Sequence, residues 1–158
     1  MPTIQQIADY VILRLKDNGN NYYLSTLAHQ KLIYYCQAWH LALKKKPLFE
    51  DNFQAWVHGP VNRWVYANYN SDKTIYSDLK MNDIIDRSGI DRLSQEEISH
   101  VNLVLDSYAK FSASQLEEMT HNEEPWIEAR GNFTPLQRCT NPIDNKTMEN
   151  YYAARLNG

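Results

Sequence analysis

The residues able to do chemistry come first, because their spacing decides whether a reaction centre is encoded. Cys36 and His40 stand four apart, within side-chain reach of one another on a helix. A nucleophilic thiol needs a lowered pKa, whereas Cys36 falls on an apolar arc, so it reads as inert. His40, His58 and His121 are the set from which a metal site or a hydrolase centre would have to be assembled, and their spacing fits no ligand pattern. "THNEEPWIEAR", Thr120 to Arg130, gathers His121, Glu123, Glu124 and Arg130. Its plainer reading is a helix end followed by a proline-started helical turn, with Trp126 packed and Arg130 ion-paired. A Gly-rich phosphate loop, a Gly-x-Ser-x-Gly elbow and a His-Glu-x-x-His pair are all missing from the sequence. No catalytic residue, metal or cofactor is therefore assigned.

A second cluster suits binding better than catalysis. "FQAWVHGPVNRWVY", Phe53 to Tyr66, holds two tryptophans, a histidine, an arginine and a Gly-Pro pair. Phe53 to Val57 has strand character. Gly59 permits a sharp turn, and Pro60 suits the first turn of a helix carrying Val61, Trp64, Val65 and Asn68 on one face. Trp56 is expected in the core. Two tryptophans on so short a unit are hard to bury together, so Trp64 is expected at a surface that something else covers.

The elements that must position these residues are mostly helical. Thr3-x-x-Gln6 is a capping box, and Ile4, Ile7, Ala8, Val11 and Leu15 follow at helical spacing, predicting a helix over 4–16 that Asp17 to Asn21 stops. Ser94-x-x-Glu97 and Ser112-x-x-Gln115 open two more, and a last helix runs from about Asp144 to Leu156. The stretch "LAHQKLIYYCQAWHLALKKK" is apolar over most of its circumference. Ala28, Leu32, Tyr35, Cys36, Trp39 and Leu43 form one arc, and Leu27, Tyr34, Ala38 and Leu41 a second flank. Only Gln30, Gln37 and Lys44 make a polar stripe. Such a helix belongs in the middle of a domain. His29 and His40 fall at its border. Lys31 projects between the apolar flanks, where it must snorkel, meet a buried carboxylate or make a functional contact. Residues 70–93 are polar and irregular and are expected to be a mobile insertion with at most one short helix. The fold class is thus mainly α: a single-domain helical bundle, residues 1–158, around a central apolar helix, with one or two short strands.

Bulk properties narrow the partners. The chain has 158 residues, 43% hydrophobic and 22% charged, enough for one domain with a real core. A net charge of −3 gives no bulk attraction to nucleic acid or an anionic membrane, so neither is expected as a partner. Two distant cysteines suggest no disulfide framework, and no apolar run is long enough to span a bilayer. A cytoplasmic location is expected.

Three blocks in order, "KLIYYCQAWHLALKKKPLF", "AWVHGPV" with a following "VY", and "QLEEMTHNEEPWIEAR", resemble the Panacea antitoxin domain of bacterial and phage toxin–antitoxin pairs. Matching positions include Lys31, Trp39, His40, Trp56, Gly59, Pro60, Tyr66, Thr120, His121, Glu124, Trp126 and Arg130. Cys36 departs, standing where the family often has a small residue. The resemblance implies protein binding rather than catalysis, with a cognate toxin as partner. It extends over the whole chain, which argues against an appended DNA-binding module. The resemblance also implies two alternatives, since one relative in the family is an adaptor that delivers its toxin to an ATP-dependent protease, and other members occur as orphan phage or prophage proteins. Both remain alternatives here, the first with a protease chaperone component as second partner. Arg63, Trp64, Tyr66 and Tyr69 are the candidate partner anchors. Lys31, His121 and Arg130 follow, since they suit equally a polar network that fixes the fold.

Overall fold

A computed structural model describes residues 1–17, 22–70 and 72–156. Among them are eight α-helices and one two-stranded antiparallel sheet. In chain order these are α1 (Ile4–Lys16), α2 (Thr26–Lys44), β1 (Gln54–Trp56), β2 (Gly59–Val61), α3 (Arg63–Tyr69), α4 (Arg87–Asp91), α5 (Gln95–Tyr108), α6 (Ala113–His121), α7 (Glu124–Arg130) and α8 (Asn145–Arg155). The mainly helical reading holds.

Capping chemistry sets the helix starts. The Thr3, Ser94 and Ser112 hydroxyls accept from the backbone three residues on, while Gln6, Glu97 and Gln115 reach back in turn. Most of the predicted stop after α1, residues 18–21, lies outside the described residues. The central helix is α2, which packs against α1, α3, α5, α6, α8 and β2. From Thr26 to Ala38 every residue of it is buried. The expected polar stripe is therefore a correction: only Lys44 is exposed, while Gln30 and Gln37 are inside. Leu43, expected on the main apolar arc, is exposed in the last turn.

The two buried glutamines serve the chain that follows their own helix. Gln37 accepts from the Leu48 amide at 2.7 Å and donates to the Phe49 carbonyl at 2.8 Å. Gln30 accepts from the Asn62 amide at 3.0 Å and donates to its carbonyl at 3.1 Å. Each amide side chain thus acts as a mobile peptide group, satisfying backbone that leaves regular structure inside the protein.

The excursion between them forms the hairpin. Ala55 pairs with Pro60 and Trp56 with Gly59. Pro60 was expected to open a helix; it lies in β2 instead, and α3 begins after Asn62, whose side chain caps the Val65 amide at 2.9 Å. Proline is tolerated here because Ala55 opposite turns its amide the other way, to the Asn141 carbonyl at 2.9 Å. Ile143 donates to the Phe53 carbonyl at 2.8 Å, so residues 141–143 line the outer edge of β1.

Residues 70–93, expected to be a mobile insertion, are tied to α1 and to the start of α2. Fully buried Asp9 accepts from the Ile85 and Asp86 amides at 2.9 and 3.0 Å, and Asp78 meets Lys16 at 2.8 Å. Leu79 is wholly buried. Asp78 also accepts from the Leu24 amide at 2.8 Å.

His29 is buried rather than at a border, and its Nε2 meets the Ala8 carbonyl at 2.9 Å. Desolvation lowers its pKa from 6.5 to about 4, against smaller opposing effects of that carbonyl and of Asp83. The unfolded chain then binds more protons between those values, so stability rises with pH across the window from about 4 to 6.5. His29→Gln, which keeps a donor, should flatten the rise in melting temperature over that window. The change at stake is on the order of 3 kcal/mol, readable by thermal melts at stepped pH.

Candidate functional site

Two buried cations grip the hairpin from opposite edges. Lys31, with no exposed surface, donates from Nζ to the Pro60 carbonyl at 2.9 Å. Arg130, 2% exposed, donates from Nη1 to the Ala55 carbonyl at 2.8 Å. Its Nη2 reaches the Thr134 and Gln137 carbonyls at 2.5 Å each, and its guanidinium lies 4.8 Å from the Trp126 ring. Among the described residues neither cation has a carboxylate within ion-pair distance. The expected ion pair of Arg130 and the expected snorkelling or buried carboxylate of Lys31 are thus both replaced by backbone carbonyls. Ala55 and Pro60 face one another across the ladder, so the carbonyls that take the cations are the outward ones that no neighbouring strand uses. Desolvation lowers the Lys31 pKa from 10.5 to about 7, partly countered by the field of Glu117.

Gly59 completes the clamp. Its φ of +105° belongs to glycine, and a Cβ placed there would lie 2.5 Å from Lys31 Cε and 2.8 Å from Thr120 Oγ1. The hairpin turn therefore lies flat on the lysine stem. Trp126 reinforces it, its indole donating to the Trp56 carbonyl at 2.8 Å. His121 stacks on Trp126 with ring centroids 4.2 Å apart, and burial lowers its pKa.

Above the clamp lies a groove of about 610 Å³, bounded by the first turns of α2, the hairpin, α3 and residues 138–140. Leu27, Val61, Ile75, Trp56 and Tyr66 supply apolar lining. Strand alternation explains Trp56: Phe53 and Ala55 point inward, so Trp56 is half-buried on the groove wall rather than in the core. Its indole donates to Gln54 at 2.8 Å and its ring lies 5.1 Å from that of Tyr66.

The candidate anchors separate into two groups. Arg63, Trp64 and Tyr66 are exposed on α3, with Arg63 and Tyr66 on the groove wall. Tyr69 is buried, its hydroxyl donating to Asp9 at 2.6 Å, which fastens α3 to α1. Lys31 and Arg130 are the clamp, and His121 stands behind it. The other chemistry-bearing residues disperse. His40 lies edge-on to His100 at 5.0 Å, and His58 meets Glu117 at 3.0 Å. Among the described residues no three His, Cys, Asp or Glu side chains converge as a metal site. Cys36 is buried with its thiol pKa pushed up. Glu123 accepts from the Tyr35 and Tyr152 hydroxyls at 2.9 and 2.6 Å, a bond pair that knits α2, α7 and α8.

The family described as Antitoxin SocA-like, Panacea domain matches residues 30–127. The chain belongs to the SocA-like Panacea family. The match runs from Gln30, the first bracket of the hairpin, through Trp126 on its far side. Antitoxin SocA of Caulobacter vibrioides (strain NA1000 / CB15N) is 34% identical over 122 residues, 72% of this chain. The chain aligns with 64% of that relative's length. No solved structure matches. Beyond the residues that match the family, Arg138 and the edge residues 141–143 escaped sequence reasoning. No local pattern marks them; the pairing of residues 141–143 with β1 and the Arg130 bonds to the Thr134 and Gln137 carbonyls bring Arg138 to the groove.

Gly59→Ala should test the clamp. Left-handed backbone and overlap with Lys31 should together cost at least about 2 kcal/mol, seen as a lowered urea midpoint. An unchanged midpoint would show that the turn can lift off the lysine freely.

Proposed function

We propose that this chain neutralises a cognate toxin protein by binding it directly, through the exposed face of α3 and the adjoining groove. Membership in an antitoxin family supports the role. The observation that carries the surface is the exposure of Trp64 and Tyr66 beside Arg63 on one short helix. Tryptophan, tyrosine and arginine are the residues enriched among interface anchors; the two aromatics bury a large area at low entropic cost, and arginine adds a planar set of donors.

The helix is held rigid for that task. Asn62 caps its start, Tyr69 ties its end to Asp9, and Gln30 fixes the residue that precedes it. Anchors already ordered before contact lose little freedom on binding, which raises affinity without further contacts. In this reading Lys31, Tyr69, His121 and Arg130 act by positioning. Trp64, Tyr66 and Arg63 act by contact.

Growth is the first test. The gene neighbouring this one, expressed alone, should arrest a culture, and co-expression of this chain should restore it. A harmless neighbour, or an arrest that persists with this protein abundant and folded, would contradict a cognate pair. With the toxin in hand, Trp64→Ala should weaken its binding by about 30-fold, the equivalent of a 2 kcal/mol anchor. Far-UV circular dichroism should be unchanged. Wild-type affinity in that variant would remove Trp64 from the contact surface.

A further inference from the structure

We propose that the groove beside the hairpin receives a segment of the partner protein that is apolar apart from a carboxylate, which Arg63 and Arg138 bind at the rim. The inference rests on the antitoxin reading and adds the chemistry of what is bound. The groove's charged lining is of one sign. Arg63, Arg138 and Lys31 line it, and no aspartate or glutamate does. The chain as a whole carries −3, so this local excess of cations is opposite to its average. Arg63 and Arg138 are both exposed and form no ion pair among the described residues. Glu117, whose field reaches Lys31, is already engaged by His58 at 3.0 Å.

The remaining lining selects a protein segment over other anions. Leu27, Val61, Ile75, Trp56 and Tyr66 offer apolar and aromatic surface to side chains flanking the carboxylate. A nucleic acid would need a run of phosphate contacts, each supplied by a cation, and the net charge opposes it. At about 610 Å³ the groove lies within the roughly 300–1,000 Å³ typical of ligand pockets, so it holds a few side chains rather than a whole helix. Arginine is the side chain best shaped for a carboxylate, donating two parallel bonds. Buried Lys31 beneath the floor adds positive field without needing to be touched.

Peptides displayed at random on phage and selected on the intact chain provide the test, with the selected sequences resynthesised and titrated by fluorescence anisotropy. The expected sequences carry Asp or Glu next to apolar or aromatic residues. Arg63→Glu combined with Arg138→Glu should weaken them at least tenfold, and replacing the peptide's acid by lysine should restore binding to that variant alone. Arg63→Gln with Arg138→Gln, which removes charge without reversing it, should give a smaller loss of the same sign. Thermal melts should show all forms folded, since both arginines are exposed. An empty selection, sequences without acidic bias, or unchanged affinity in the double variant would overturn the proposal. So would a single-stranded oligonucleotide that displaces the peptide at lower concentration. Full growth rescue by the Arg63→Glu/Arg138→Glu chain would sink the groove and leave the antitoxin reading standing. Failure of the wild-type chain to rescue would sink that reading whatever the peptides do.

Discussion

A buried helix that lends its polar side chains to someone else's backbone is the constraint on which this structure depends. Gln30, Lys31 and Gln37 all lie inside α2's packed circumference. Each would be expensive to bury without a partner, by about 1–3 kcal/mol for a neutral group and more for a charge. Each finds its partner in the segment from Leu48 to Asn62. That segment is too short and irregular to satisfy its own amides and carbonyls. Helix and excursion therefore satisfy one another's polar groups.

The same reciprocity sets the electrostatics of the candidate surface. Lys31 and Arg130 are held by carbonyls, which are dipoles and not charges, and Glu117 acts on Lys31 through its field rather than through a bond. Lys31 answers by lying near its own titration point, its pKa lowered to about 7. Lys31 lines the groove together with Arg63 and Arg138. The hairpin thus joins two functions: its inner face fills the core with Phe53 and Ala55, and its outer face offers Trp56 beside Tyr66.

Much of the scaffold was legible because helices announce themselves locally. A hydroxyl three residues before an amide or carboxylate, followed by apolar residues at helical spacing, was enough to place the starts of α1, α5 and α6. The central position of α2 followed from its nearly continuous apolar surface. What periodicity could not show was where buried polar groups find partners, since those partners are distant in sequence. Gln30 and Gln37 read as a solvent stripe and Pro60 as a helix start. Each error concerns a bond between a side chain and remote backbone. The exposure of Trp64 was readable from two tryptophans crowded within one short stretch. The burial of Tyr69, three residues on, depended on Asp9 of another helix. Arg138 joins the groove through the β1 edge and the Arg130 bonds to the preceding carbonyls, which no local pattern encodes.

Amide hydrogen exchange in Lys31→Met and Arg130→Met tests most directly whether the two cations hold the hairpin. The account predicts faster exchange confined to the bonded amides of residues 54–66 and 141–143, with the α1–α2 core still protected. Protection of the hairpin at the wild-type level in both variants would contradict it. The clamp would then be a consequence of the fold rather than the interaction that orders the groove.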